Sequence, residues 1–161
     1  MVLPHFVDRC EIPDRVLHIP KNFRRFIIVH REPVDNWTMG AATLLGDAAH
    51  PMLQYLAQGG NMAMEDAVCL AEQIVGSNRD YAAAFKKYQE LRYLRTARVQ
   101  LMARVFGEIY HASGVNRELR NKVLREWTEQ GGVDMSWLYG DQSELPHVDN
   151  VPMPEPTRLA S

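Results

Sequence analysis

Leu44-Leu45-Gly46-Asp47-Ala48-Ala49-His50-Pro51 decides how this chain is to be read. An apolar run ends in Gly-Asp, passes two small residues and closes on His-Pro. Gln58-Gly59-Gly60-Asn61 then makes a glycine-rich turn into a helical pattern. A strand that ends in a small residue and a carboxylate, set beside a helix start with free backbone N–H groups, suits a polyhydroxylated, partly anionic ligand at a sheet edge. A carboxylate at the end of a buried strand is costly unless hydrogen-bonded. In an isolated Gly-Asp, Asp47 would simply cap the following turn; the run as a whole favours a ligand.

Upstream, Arg24 to Arg31 has a β-branched centre and charged ends and reads as a strand. Pro33 closes it, 34–40 is turn-rich, and 41–45 is a short buried strand leading into Gly46-Asp47. Downstream the period becomes helical. Ala63, Ala67, Leu70, Ala71 and Ile74 make one apolar face over about 60–75, which Gly76-Ser77-Asn78 ends. A longer helix spans about 80–110, with Phe85, Tyr88, Leu91, Val99, Met102, Phe106 and Ile109 as its apolar positions. A third runs from about 117 to 127 behind an Asn116 N-cap, with Leu119, Val123 and Leu124 inward. Ser136-Trp137-Leu138-Tyr139-Gly140 is an aromatic patch expected to dock back on the body. The tail beyond Asp141 carries four prolines among acidic residues and is expected to be extended.

The fold class expected is therefore α+β or α/β, with short strands leading to the Gly-Asp motif and a mostly helical C-terminal half. Four regions follow: 1–45, the end of a sheet; 46–76, the ligand-contacting loop and helix; 77–140, a helical region; and 141–161, a Pro-rich tail.

Composition excludes several function classes. Among 161 residues, 46% are hydrophobic and 24% charged, as in ordinary globular proteins, and the net charge of −2 gives no chain-wide attraction to nucleic acid or anionic lipid. No apolar stretch approaches the ~20 residues of a membrane span, and no signal sequence opens the chain. Cys10 and Cys69 form no CxxC, in keeping with a reduced, cytoplasmic setting. The six histidines are too scattered for a metal site, and no GxSxG or P-loop occurs. Residues 79–125 hold eleven Lys or Arg against four acids. Without a recognition motif that stretch reads as a solvated face, or one that receives the acidic tail or a partner domain, rather than a nucleic-acid site.

The Gly-Asp-Ala-Ala-His-Pro run, the Gln-Gly-Gly-Asn turn and the Glu65-Asp66 pair together resemble the second FAD-binding motif of the aromatic-ring flavoprotein monooxygenases. Arg31-Glu32-Pro33-Val34-Asp35-Asn36-Trp37 and Leu53-Gln54-Tyr55-Leu56-Ala57-Gln58-Gly59 narrow the resemblance to the salicylate and 3-hydroxybenzoate 6-hydroxylase branch, over roughly 20–140. Where many family members have Pro-Pro and a glycine in this loop, the chain has Leu53-Gln54 and Leu56, which suits that branch.

The resemblance implies FAD as cofactor, NAD(P)H as transient co-substrate, O₂, and a small aromatic substrate. It implies cofactor contacts from Gly46, Asp47 (to ribityl hydroxyls), Ala48, Pro51 and the backbone of Gly59, Gly60 and Asn61, where a positive helix end meets the flavin ring. On the reacting side it implies Gln54 as a substrate contact, with a loop-stabilising amide as the plain alternative. His50 is a candidate base there, a hydrogen-bonded packing role being the simpler reading. Pro51, with Leu53, would form a water-excluding wall. Glu65 and Asp66 read most simply as first-turn acids that stabilise the helix start.

The family also holds the ADP half of FAD on an N-terminal GxGxxG segment, and neither that motif nor the family's Asp-Gly motif occurs here. The expectation is the C-terminal part of a longer hydroxylase, or a chain completed by a separate partner, that alone binds FAD weakly or not at all. Helix faces too large to bury in so small a body also point to a homo-oligomer. The rival readings are a catalytically inert helical interaction module and a flavoprotein of different chemistry, such as a reductase or an epoxidase.

Overall fold

The structure, a computed structural model, describes residues 15–22, 24 and 26–139. Cys10 and the Pro-rich tail lie outside the described residues. Two short strands, β1 (Thr38–Met39) and β2 (Ala42–Thr43), form an antiparallel hairpin in the register Thr38↔Thr43 and Met39↔Ala42. Gly40, at φ +58°, takes the left-handed turn between them at no steric cost. Two single 3-10 turns follow, Gly46–Ala48 and Gln54–Leu56. The remaining regular elements from residue 59 onward are helices: α1 (Gly59–Gly76), α2 (Tyr81–His111), α3 (Gly114–Glu129) and the short α4 (Ser136–Tyr139).

The long helix is the spine, about 46 Å of axis at 1.5 Å per residue. Asp80 caps it by accepting the Ala83 N–H at 3.1 Å. Ala84, Tyr88, Arg92, Thr96, Val99, Ala103 and Gly107 form one buried stripe at steps of three and four residues. Two apolar clusters lie along it. Leu56, Met62, Val99, Ala103 and Leu138 pack at one end, with Met52, Phe106 and Trp137 against them. Trp37, Ala49 and Tyr88 pack at the other, with Leu70 and Tyr93. Between the clusters, at Arg92 and Thr96, the stripe is polar, and that is where the segment 46–58 crosses.

The α+β expectation holds in its coarse form, with three differences. The strand expected over 24–31 pairs with nothing among the described residues: 26–30 has no regular structure, and Phe26, Ile27, Ile28 and Val29 are exposed. A β-rich composition makes a strand only where a neighbour takes its backbone N–H and C=O groups. Of the buried strand expected over 41–45 only Ala42–Thr43 is a strand, none of the five residues is buried, and it pairs with Thr38–Met39, inside the stretch expected to be a connection.

The third helix begins earlier than expected, at Gly114 behind Ser113, so Asn116 lies within it rather than capping it. No residue of α3 is buried, and Leu119 and Leu124, expected inward, are exposed. Finally, the apolar face expected on α1 is rotated. Met62 and Asp66 are its buried residues, whereas Ala67 and Ala71 face outward. Of the patch expected to dock at 136–140, the described part, 136–139, does so, Gly140 lying outside the described residues: Leu138 is buried, and Arg95 donates to the Trp137 and Leu138 carbonyls at 2.7 and 3.0 Å.

Candidate functional site

Gly46 opens the site. At φ +59° it adopts a conformation that costs little only for glycine, and a Cβ there would meet Ala63 Cβ at 3.2 Å. The backbone thus lies flat against α1. Its carbonyl accepts the Ala49 and His50 N–H groups at 2.8 and 2.9 Å, winding 46–50 into a closed turn. Arg31 donates to the Ala48 and Ala49 carbonyls at 2.9 and 2.5 Å, and Gln100 of α2 donates to the Pro51 carbonyl at 3.1 Å. Asp47 is left on the outer side of this turn, exposed and with no side-chain hydrogen bond among the described residues.

Asp47 and the start of α1 face each other. A Cβ on Gly59 would lie 3.7 Å from Asp47 Oδ1, and one on Gly60 would point into open space. The first backbone bond of the helix runs from Met62 N–H to the Gln58 carbonyl at 2.9 Å. The N–H groups of Gly59, Gly60 and Asn61 precede it and lack intrahelical acceptors. Gln58 supplies no side-chain cap; its amide oxygen accepts from Asn61 Nδ2 at 3.0 Å. The mouth therefore offers an unengaged carboxylate on one side and uncapped amides at a positive helix end on the other.

Behind the mouth lies a buried ionic network, which changes the reading of Glu65 and Asp66. Both fall past the first turn of α1, so they do not act as first-turn acids. Asp66 is fully buried. Its Oδ2 accepts from the Gly46 N–H at 3.1 Å and bonds His50 Nε2 at 2.5 Å, while Oδ1 accepts from Arg92 Nε at 2.7 Å. Glu65 takes Arg92 Nη1 at 2.7 Å and Arg95 Nη2 at 3.1 Å. Burial pushes the Asp66 carboxyl up, but the hydrogen bonds and charges of His50 and Arg92 outweigh it and hold it below the ordinary carboxylate range. Arg92, for which burial acts the other way, is held above its ordinary value by the same two carboxylates. Burial and the Asp66 charge raise the Tyr88 phenol.

The basic stretch is a solvated face only in part: Arg79, Lys86, Lys87, Arg117, Lys122 and Arg125 are exposed, and the rest are engaged by the fold. Arg92 and Arg95 turn inward, Arg98 stacks over the Trp137 ring at 4.3 Å, Arg104 pairs with Glu32 at 2.5 Å, and Arg120 binds the Ile109 carbonyl at 3.0 Å. No group of three or more His, Cys, Asp or Glu side chains placed to hold a metal occurs among the described residues, and none of their helices is long and apolar enough to cross a membrane.

The sequence-derived site residues separate into two sets. Asp47, Ala48, Gly59, Gly60 and Asn61 gather around the mouth, with Gly46 beneath them. His50 is wholly buried, its Nε2 on Asp66, its ring 5.5 Å from that of Trp37, and its Nδ1 without a partner among the described residues. Gln54 is exposed on the second 3-10 turn. Its neighbour Tyr55 turns away toward α2, where its hydroxyl meets His111 Nε2 at 3.0 Å and its ring occupies the space a side chain at Gly107 would need. Pro51 is half-buried. The sequence reading missed Arg92 and Arg95. The signal was present, since Arg92 stands in the core phase of the α2 stripe, four residues after Tyr88.

Comparison with known proteins bears on this geometry. The sequence profile described as FAD binding domain matches residues 13–103. A 3-hydroxybenzoate 6-hydroxylase from Polaromonas naphthalenivorans (strain CJ2) is 45% identical over 140 residues, 86% of this chain and 35% of that protein. The 3-hydroxybenzoate 6-hydroxylase 2 of Aquipseudomonas alcaligenes is 44% identical over 137 residues, 84% of this chain and 43% of its own. A 3-amino-4-hydroxybenzoate 2-monooxygenase from Streptomyces cremeus is 34% identical over 137 residues, covering 85% and 34%. The chain spans between a third and a half of the length of these curated relatives.

Proposed function

Because the chain belongs to the FAD binding domain family, we propose that it is the flavin-contacting C-terminal portion of an aromatic hydroxylase acting on a hydroxybenzoate-type substrate with NAD(P)H and O₂. The observation that carries the reading is the convergence of Asp47 Oδ1 on the start of α1, within 3.7 Å of where a Gly59 side chain would begin. The residues fit a flavin. A carboxylate with no partner among the described residues suits vicinal hydroxyls, and uncapped amides beside a glycine with open space suit the close approach of a flat ring.

When bound, FAD supplies the redox chemistry that couples NAD(P)H oxidation to oxygen transfer. The chain's own residues bind and shield. Asp47 accepts from the ribityl hydroxyls. Gly59, Gly60 and Asn61 donate N–H groups to the polar edge of the ring, and the helix end favours negative charge there. Gln54, exposed on the adjoining turn, orients the phenol or carboxylate of the substrate without changing the local charge. Pro51 and Leu53 exclude water from the reacting face. His50, sealed behind the turn, acts by holding the loop rather than by touching substrate.

On this reading 1–45 ends a substrate-side sheet, 46–76 carries the flavin contacts, 77–140 supports them, and 141–161 is a tail. The ADP half of FAD is held by polypeptide carrying a GxGxxG, either in a longer version of this protein or in a partner. The exposed apolar run Phe26–Val29 is a surface that such polypeptide, or a second copy, would cover.

The test is a titration of the chain with FAD, followed by quenching of flavin fluorescence. The expected result is weak, saturable binding that Asp47→Ala reduces by about tenfold or more, the value of a lost charged hydrogen bond. Equal binding by the wild type and Asp47→Ala would remove the carboxylate from the site.

A further inference from the structure

Asp66 is buried, lies on a different element from Asp47, and makes no approach to the mouth of the site. Yet one of its oxygens holds both ends of the turn that carries Asp47. Oδ2 accepts the Gly46 N–H at 3.1 Å and takes His50 Nε2 at 2.5 Å. Because Asp66 is part of α1, these two bonds tie the turn to the helix whose N-terminal amides form the other wall. Arg92 clamps the second oxygen at 2.7 Å through Nε and bonds Glu65 on the same helix at 2.7 Å through Nη1, so a carboxylate that rotated away would leave the buried Nε–H without its acceptor.

We propose that Asp66 is the positioning residue of the site: by holding Gly46 and His50 together it sets the distance between the Asp47 carboxylate and the amides of Gly59 and Gly60. The proposal rests on the flavin reading for its functional meaning, but the positioning itself is a property of the free protein. It distinguishes the two acids of α1. Glu65 binds Arg92 and Arg95 and touches no part of the turn, so its removal leaves the turn in place.

The geometry sets a strict requirement on the side chain at 66. It must accept two N–H groups on one oxygen and a guanidinium N–H on the other. An amide offers a single oxygen and turns its NH₂ either against Arg92 or against Gly46. Asparagine is therefore the informative substitution, equal in shape and unable to make all three bonds.

The experiment follows backbone amide signals of the full chain by ¹H–¹⁵N NMR, for the wild type, Asp66→Asn and Glu65→Gln, alongside the FAD titration. In Asp66→Asn the Gly46, Asp47 and Ala48 signals are expected to move or broaden, and FAD affinity to fall about tenfold while helical circular dichroism is retained. Glu65→Gln is expected to leave those signals and that affinity unchanged. Unmoved turn signals in a folded Asp66→Asn protein would overturn the proposal, whatever the flavin result. Moved turn signals with FAD binding that Asp47→Ala leaves unchanged would uphold the positioning and count against the flavin reading. Should Asp66→Asn not fold, hydrogen exchange in the wild type decides. A Gly46 amide protected like those of the α2 interior supports the proposal; one exchanging as fast as the exposed Gly40 amide refutes it.

Discussion

The two sides of the Gly46–His50 turn differ in almost every physical respect. On the outer side Asp47 is exposed, bonded to no protein group among the described residues, and faces open glycine. On the inner side, Asp66 is sealed from water and makes three hydrogen bonds within a network of two carboxylates, two guanidinium groups and an imidazole. The outer carboxylate contributes little to folding and is available to a ligand. The inner one is held in place by the fold and has nothing left to offer. Contact and positioning are thus divided between two acids, and mutations should separate them.

The largest separation is expected at Arg92. Replacing it with Met leaves Asp66 buried without its guanidinium partner, so urea unfolding should show a loss of about 3–5 kcal/mol. Acid comes next. The Asp66 carboxyl titrates below its ordinary value of 3.8 in the folded state, so the unfolded chain binds the proton more readily. The stability it contributes is fully present above that ordinary value and is lost as pH falls through the lower, folded one. Wild-type unfolding midpoints should drop below about pH 4, and Asp66→Asn should flatten that part of the profile.

Gly107→Ala tests the packing that turns Tyr55 from the mouth. An added Cβ would come within 2.6 Å of the Tyr55 ring, and a cost of about 1–3 kcal/mol is expected from the forced shift. The smallest effect is expected at Asp47, where Asp47→Ala should change stability by less than about 0.5 kcal/mol while removing the proposed flavin contact. A large stability loss at Asp47 would merge the two sides and break the comparison.

What the sequence revealed follows the same division. The turn and the helix start were legible because each is local: Gly46-Asp47 and Gly59-Gly60-Asn61 are contiguous motifs, and the extents of α1 and α2 follow from period and punctuation. The inner network was not, because its partners lie 16 to 30 residues apart and look like ordinary surface charges. Asp66 stands in phase with Met62 and Leu70, and Arg92 with Tyr88 and Thr96. An acid and a base on the core faces of successive helices are a pair to be matched, and that was the signal available. Phe26–Val29 misled for the opposite reason. Its composition is that of a strand, but a strand is completed by a neighbour, which composition does not contain.

The account rests on the claim that Asp47 and the start of α1 form one flavin-binding mouth. The most direct measurement is a map of backbone amide shifts in this chain on adding FMN, FAD or ADP. The account predicts that FMN and FAD shift Asp47, Gly59, Gly60 and Asn61 together, with a single saturation curve, and that ADP leaves them in place. Flavin-induced shifts confined to other surfaces, or shifts at these residues by ADP alone, would contradict it.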